Sequence, residues 1–263
     1  MSLTNKSPAE TYKDLLYVNN SNNGITTTIK NVHSGGGTQS AVAVSDRALQ
    51  VKSATNNTTA FDVQNSGGDS KLLVDTSNNY VKANGVFVNT QYAYFGVAHS
   101  ISANFVTNTH YPLTFQGNNQ SPSDEHNFSL GTGTDPATTF TTADGSTTDA
   151  ALVVPCLMYV PDNISIDSVT AIEGADAATG DTTRMHLMSY TFTSGSKSCL
   201  SSGTLLAHNS DVTNAGSEQA YLTTWTVDSA SVTAGKVILA TFRSDSVNSD
   251  YSVSVTVKYH LTG

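Results

Sequence analysis

Near the end of the chain Val253, Val255, Val257 and Tyr259 alternate with Ser252, Ser254, Thr256 and Lys258. A period of two puts the apolar set on one face and the polar set on the other, which predicts a half-buried antiparallel strand. From about residue 90 onward comparable runs recur: QYAYFGV, YPLTFQG, ALVVPCLMYV, ISIDSVTAI, TTRMHLMSYTF, GTLLAH, AYLTTWTV and KVILATFR. Strands of this number, separated by turn signals, predict an antiparallel β-sandwich head of jelly-roll type over residues 90–263. Residues 121–149 (SPSDEHNFSLGTGTDPATTFTTADGSTTD) read as a long irregular insertion or a pair of loops on that sandwich.

Upstream, over residues 19–89, the apolar runs are shorter: ITTTIKNV, AVAVS, ALQV, AFDVQ, KLLVD and YVKANGVFV, parted by polar turns such as HSGGGTQ and NSGGDS. The segment LLVDTSNNYV at 72–81 has an earlier echo in LYVNNSNNGI at 16–25, and both read as strand-turn-strand units. Each piece is too small to bury a face alone, and an isolated hairpin is marginal in water. Repeated units of this kind become stable when neighbours or symmetry-related copies cover them. The expectation is a trimeric β shaft whose chains meet at Val51, Val63, Leu73, Val74 and Val81. Before it, Ser7-Pro8-Ala9-Glu10 has the capping-box pattern with Pro at the first helical position. Tyr12, Leu15 and Leu16 then fall at i, i+3 and i+4, so residues 1–18 are expected to hold a short amphipathic helix. A helix this short needs a docking surface, either this protein's own shaft or another protein. The chain as a whole is expected to be all-β apart from that helix.

Composition agrees with strands and turns. Only 13% of residues are charged while 38% are hydrophobic, which does not match intrinsic disorder. The formal net charge is −9, and no Lys or Arg stands between Lys82 and Arg184. Nucleic-acid backbones and anionic membranes are both bound through Lys and Arg, so neither is an expected partner. No stretch has the length and apolarity of a membrane span, and MSLTNKSPAE lacks the apolar core of a signal peptide. Synthesis in a cytosol without a secretion signal is the expectation.

Candidate chemistry is sparse. The nucleophile-elbow, HExxH, Walker and dinucleotide motifs are absent from the sequence, and Gly35-Gly36-Gly37 and Gly131-Thr132-Gly133 precede no helix that could hold a phosphate. Asp124-Glu125-His126 sets two carboxylates beside an imidazole, a combination for proton transfer or metal, here in an acidic loop that reads as a solvated turn. Asp176, Asp181, Asp245, Asn248 and Asp250 offer the oxygens Ca²⁺ prefers, but such residues are also ordinary turn formers. His110, His186 and His260 read as satisfied sheet residues. Cys156 and Cys199 form no metal motif; the first reads as a small buried hydrophobe, the second as a loop residue. Tyr92 and Tyr94 are the candidates for contact with a glycan, with Phe95 and Trp225 behind them; the competing reading is that aromatics at strand spacing fill the core. No catalytic residue, cofactor or metal is assigned.

The layout of docking helix, repetitive shaft and β-sandwich head on an acidic Ser/Thr/Asn/Gly-rich chain resembles the fibre, spike and decoration proteins of tailed bacteriophages. More narrowly, NKSPAETYKDLLYVNNSNNGI, KLLVDTSNNYVKANG, GDTTRMHLMSY and GKVILATFRSDSVNSDYSVSVTVKYHL look like stretches of virion appendage proteins of phages that infect aquatic bacteria. The resemblance implies a homotrimer displayed on the particle exterior. Its N-terminus, through Tyr12, Leu15 and Leu16, would hold the major capsid protein or another virion protein, and its head would face outward, touching host surface glycans weakly. At 263 residues a short head fibre or capsid decoration fits better than a full-length tail fibre. The alternative is a tail fibre or tailspike that binds receptor, with glycan hydrolysis by acids such as Asp124 and Glu125.

Overall fold

The structure, a computed structural model, describes residues 13, 15–21, 23–97, 106–116, 128–142, 150–176, 179–216, 218–246 and 250–262. It divides into two compact units, Met1–Val88 and Asn89–Gly263. Every strand pairing is antiparallel, so the all-β expectation holds. The one α-helix among the described residues is a single short turn in the second unit.

The first unit carries β1 (Leu16–Val18), β2 (Lys30–Ser34), β3 (Gln39–Val44), β4 (Leu49–Val51), β5 (Phe61–Gln64), β6 (Ser70–Asp75), β7 (Tyr80–Ala83) and β8 (Val86–Phe87). They form two four-stranded meanders, β1-β2-β3-β4 and β5-β6-β7-β8. Sequential strands pair because the turns between them close locally. At the β6–β7 turn the Asp75 carboxylate accepts both the backbone N–H of Asn78 (2.8 Å) and its side-chain amide (2.8 Å). Asn79 takes the left-handed conformation, φ 58°, that Asn tolerates. The earlier echo behaves differently. Val18 pairs with Val32, so the chain leaves β1 through a long loop, and Ile25 stands exposed outside any strand. Asn19 occupies the place of Asp75, and its backbone N–H goes to Asn31 O (3.0 Å), while the turn closes one residue later, from Asn23 N–H to Asn20 O (2.9 Å), and leads into a loop and not a second strand. Of the expected docking helix, Tyr12 lies outside the described residues, while Leu16 opens β1 opposite Ser34 and does not sit on a helical face. The reason is local: Leu16-Tyr17-Val18 is a good strand former next to the open edge of β2.

The second unit carries β9 (Thr90–Val97), β10 (Tyr111–Pro112), β11 (Thr114–Phe115), α1 (Ala150–Val153), a 3₁₀ turn (Val154–Cys156), β12 (Met158–Tyr159), β13 (Ile164–Asp176), β14 (Thr182–Phe192), β15 (Leu200–His208), β16 (Val212–Thr213), β17 (Gln219–Thr224), β18 (Thr226–Val227), β19 (Ser231–Val232), β20 (Lys236–Ser244) and β21 (Asp250–Leu261). A front sheet runs β11-β9-β21-β13-β17 and a back sheet β10-β20-β14-β15-β18. Their facing sides share a core that includes Phe95, Val169 and Val255 from the front and Met185, Leu187 and Phe242 from the back.

The back sheet is buried on its other side as well. Met188, Tyr190, Leu200, Val237 and Leu239 form a second core with Phe128, Leu130 and Phe140 from a crossing segment and with Val153 and Cys156 beside α1. This explains why TTRMHLMSYTF and KVILATFR carry apolar residues at adjacent positions instead of alternating: a strand buried on both faces has no solvent side. It also changes ALVVPCLMYV, expected to be a strand. Only Met158–Tyr159 pairs, and the start folds as α1 and the 3₁₀ turn, because Pro155 cannot donate to a ladder. Cys199 is not in an open loop but buried in this second core; both thiols are free. Burial pushes the Cys156 thiol up to about 12. Trp225, 4% exposed, belongs to the first core.

Candidate functional site

The first unit is nearly coreless. Among its described residues only Ala43 and Asp75 are fully buried, whereas Leu15, Leu16, Tyr17, Ile25, Ile29, Leu49, Val51, Phe61, Val63, Leu72, Val86 and Val88 are all exposed. The exposure is organised. Register places Phe61 beside Val74 and Val81, and Val63 beside Leu72 and Ala83, so one face of the second meander is wholly apolar. Leu73 stands on the opposite face between Asp62 and Lys82. There Lys82 Nζ lies 4.6 Å from the Tyr80 ring centre and 4.4 Å from that of Phe87, so this side is partly closed by cation–π contacts. In the first meander Val42 and Val44 pair with Val51 and Leu49, making a second apolar stripe. A groove of about 510 Å³ joins the two stripes, lined by Leu49, Val51, Phe61 and Val74.

Of the positions expected at a chain-chain contact, Val51 and Val74 line this groove, and Val63 and Val81 share the face that borders it. Leu73 does not belong to it. Leu49 and Phe61 line the same groove and Leu72 shares the face of Val63; the two-residue period within LQV, FDVQ and KLLV is the sequence signal for them. Leu15 and Leu16, expected at the anchor, are both exposed.

In the second unit Tyr92 and Tyr94 are 53% and 49% exposed and lie on the outer side of the front sheet, two residues apart on β9. Tyr94 pairs with Thr256, which pairs with Thr170; Tyr92 pairs with Lys258, which pairs with Ser168. The tyrosines therefore border the hydroxyls of Thr256, Thr170 and Ser168, with Lys258 next to Tyr92. On the far side of it Ile172 and Leu222 sit directly opposite each other, 56% and 74% exposed. Phe95 points the other way, into the core.

Tyr251 donates its hydroxyl to Asp181 Oδ2 (2.8 Å), and Asp245 Oδ1 accepts the Thr182 N–H (2.7 Å), so these carboxylates tie turns. No trio of His, Cys, Asp or Glu among the described residues is placed to hold a metal. Asp124, Glu125, His126 and Asn248 lie outside the described residues. His260 faces Asp167 at 2.9 Å. His110 and His186, expected as satisfied sheet residues, are buried, and the Nδ1 atom of each lacks a hydrogen-bond partner among the described residues. No helix among the described residues is long and apolar enough to cross a membrane. No protein-family model matches the chain, and no curated protein matches it.

Proposed function

We propose that the chain is a non-enzymatic structural protein of a tailed-phage virion, assembled as a homotrimer through its first unit and attached to the capsid near its N-terminus. The observation that carries the assembly is the coreless pair of meanders. Eight short strands that bury two side chains cannot offset the conformational entropy of ordering them. Covering the apolar face around Phe61, Val63, Leu72, Val74 and Val81 and the groove beside it with the same surfaces of two further chains supplies the missing burial. Each fully covered large apolar side chain contributes about 1.5–3 kcal/mol. The virion setting rests on the phage-like phrases of the sequence. Leu15 and Leu16, both exposed, suit the contact with the major capsid protein or another virion protein.

Light scattering coupled to size-exclusion chromatography at micromolar concentration is the test of assembly. A three-chain mass is expected; a single-chain mass of 27.6 kDa overturns the proposal. Val63→Asp with Leu72→Asp is expected to lower that mass to one chain. Labelled electron micrographs locate the protein, with capsid labelling expected.

Exposure of Tyr92 and Tyr94 favours a second reading, a receptor-binding tail fibre. Tyrosine faces stack on sugar rings while neighbouring hydroxyls exchange hydrogen bonds with them, and many copies on a particle convert weak contacts into avidity. Label at the tail tip, with host-polysaccharide retention lost in Tyr92→Ala/Tyr94→Ala, supports that reading over a capsid fibre.

A further inference from the structure

The outer side of the back sheet ends in a polar patch that neither reading uses. On β14, β20 and β15, register sets His186 beside Thr241 and His208, and Arg184 beside Arg243. Residues 131–137 cross over this patch on their way from the β10 edge to β15. Gly133 O accepts from Arg243 Nη1 at 2.8 Å and lies 3.0 Å from His110 Nε2. Ala137 O accepts from the Tyr190 hydroxyl at 2.8 Å, and Asp135 Oδ1 is 3.5 Å from His186 Nε2. Beneath the crossing the His110 and His186 rings meet edge to face, 4.9 Å between centres, and His186 stacks with His208 at 6.3 Å. His110 and His186 are 0% and 1% exposed, and His110 Nδ1, His186 Nδ1 and Thr241 Oγ1 all lack hydrogen-bond partners among the described residues.

We propose that this cluster is an acid-operated latch: protonation of His186 and His110 releases residues 131–137 from the back sheet while the core between the two sheets stays closed. The charges facing the imidazoles decide the direction. Arg184 is on β14, Arg243 on β20 and His208 on β15, and among the described residues Asp135 from the crossing segment is the one facing carboxylate that is not already engaged. Asp211 is paired to Arg184, and Asp228 to His208 at 2.8 Å. Asp135 is 57% exposed and so is screened by water, whereas the two guanidiniums border the buried rings. A proton on His186 therefore meets more positive than negative charge at a ring that the fold closes off from solvent. Burial, then His110, Arg184, His208 and Arg243, holds the His186 imidazole down to about 3, and burial likewise lowers His110. An imidazole depressed in the closed form takes its proton more readily in the open one. The closed form is fully favoured above the ordinary histidine value and loses ground as pH falls below it, by about tenfold per pH unit per histidine. The second core still pins both ends of the crossing through Leu130 and Phe140, which confines the opening.

Hydrogen exchange read by mass spectrometry on the full chain, from pH 7.5 to 4.5 and corrected for intrinsic rates, tests the latch. Peptides covering 106–113 and 130–137 are expected to exchange at least about tenfold faster at the acid end, with β13 and β21 unchanged. The double variant His110→Asn/His186→Asn is expected to abolish the acceleration. The proposal is overturned if the wild-type segments show no acceleration, if β13 and β21 open together with them, or if the folded double variant opens at the same pH. Should the double variant not fold, ring titration of the labelled wild type replaces it. Opening must then track the protonation of His110 or His186, and opening that tracks any other histidine overturns the latch.

Discussion

Glu173 is a carboxyl at the inner end of the sandwich, 1% exposed, whose described side-chain donor is the Thr183 hydroxyl, 3.0 Å from Oε1 and 2.8 Å from Oε2. Burial raises its pKa, and the Thr183 hydrogen bond offsets this only in part. A carboxyl raised in the folded state costs stability as pH climbs above the ordinary glutamate value, because the unfolded chain releases the proton first. Glu173→Gln is therefore expected to stabilise the protein by about 1 kcal/mol at pH 7–8, with the gain vanishing near pH 4. Urea denaturation at the two pH values measures it. Gly203 is constrained by space instead of charge. A Cβ there would stand 2.7 Å from Tyr190 Cε1 and 2.8 Å from Thr138 Cα, next to a register shift in the β14–β15 pairing. Gly203→Ala is expected to destabilise by about 1–3 kcal/mol, read as a lower urea midpoint at unchanged slope. Neither residue was legible in the sequence. A Glu in ISIDSVTAIEGAD reads as a solvent-facing end, and a Gly in a strand says only that something comes close.

Among the elements, strands with one wet face were the most legible. YSVSVTVKYH and QYAYFGV kept a clean period of two and became β21 and β9. The runs at β14 and β20 were recognised as strands, but their role as the middle layer was not, since continuous apolarity looks the same whichever partners cover it. ALVVPCLMYV failed because a short apolar run does not distinguish a strand from a buried turn until the neighbouring chain is placed. The two Asn-rich echoes separate for a chemical reason. Only LLVDTSNNYV has a carboxylate where the turn needs two acceptor bonds. Asp75→Ala is expected to raise hydrogen exchange across β6 and β7 with no effect in β13 or β21. Asn19→Asp tests the converse. An aspartate there does not create a hairpin while Gly24 follows in the left-handed conformation, φ 66°, so exchange in β1 is expected to be unchanged.

At the level of the whole chain the two units differ in what each can support alone. Residues 89–263 hold two cores on either side of one sheet, while the described residues of 1–88 hold almost none. A protein truncated to residues 89–263 is expected to unfold cooperatively in urea with a concentration-independent midpoint. Residues 1–88 produced separately are expected to be structured only at concentrations where they associate. A folded, monomeric 1–88 fragment would remove the physical argument for assembly.

Alternation of apolar and polar residues was enough to establish an all-β chain with short strands first and long ones after, because a two-residue period is a property of the strand and needs no partner. Turn chemistry placed most of the breaks for the same reason. Which side of each strand is dry, which histidines meet under a crossing segment, and which tyrosines stay in water depended on what the fold lays over each face. Val51, Val63, Val74 and Val81 could be named as seeking cover, but Leu73 could not be told from them until pairing assigned it to the other side. Burial is set by long-range neighbours, and those are chosen when sheets stack, after local periodicity has done its part.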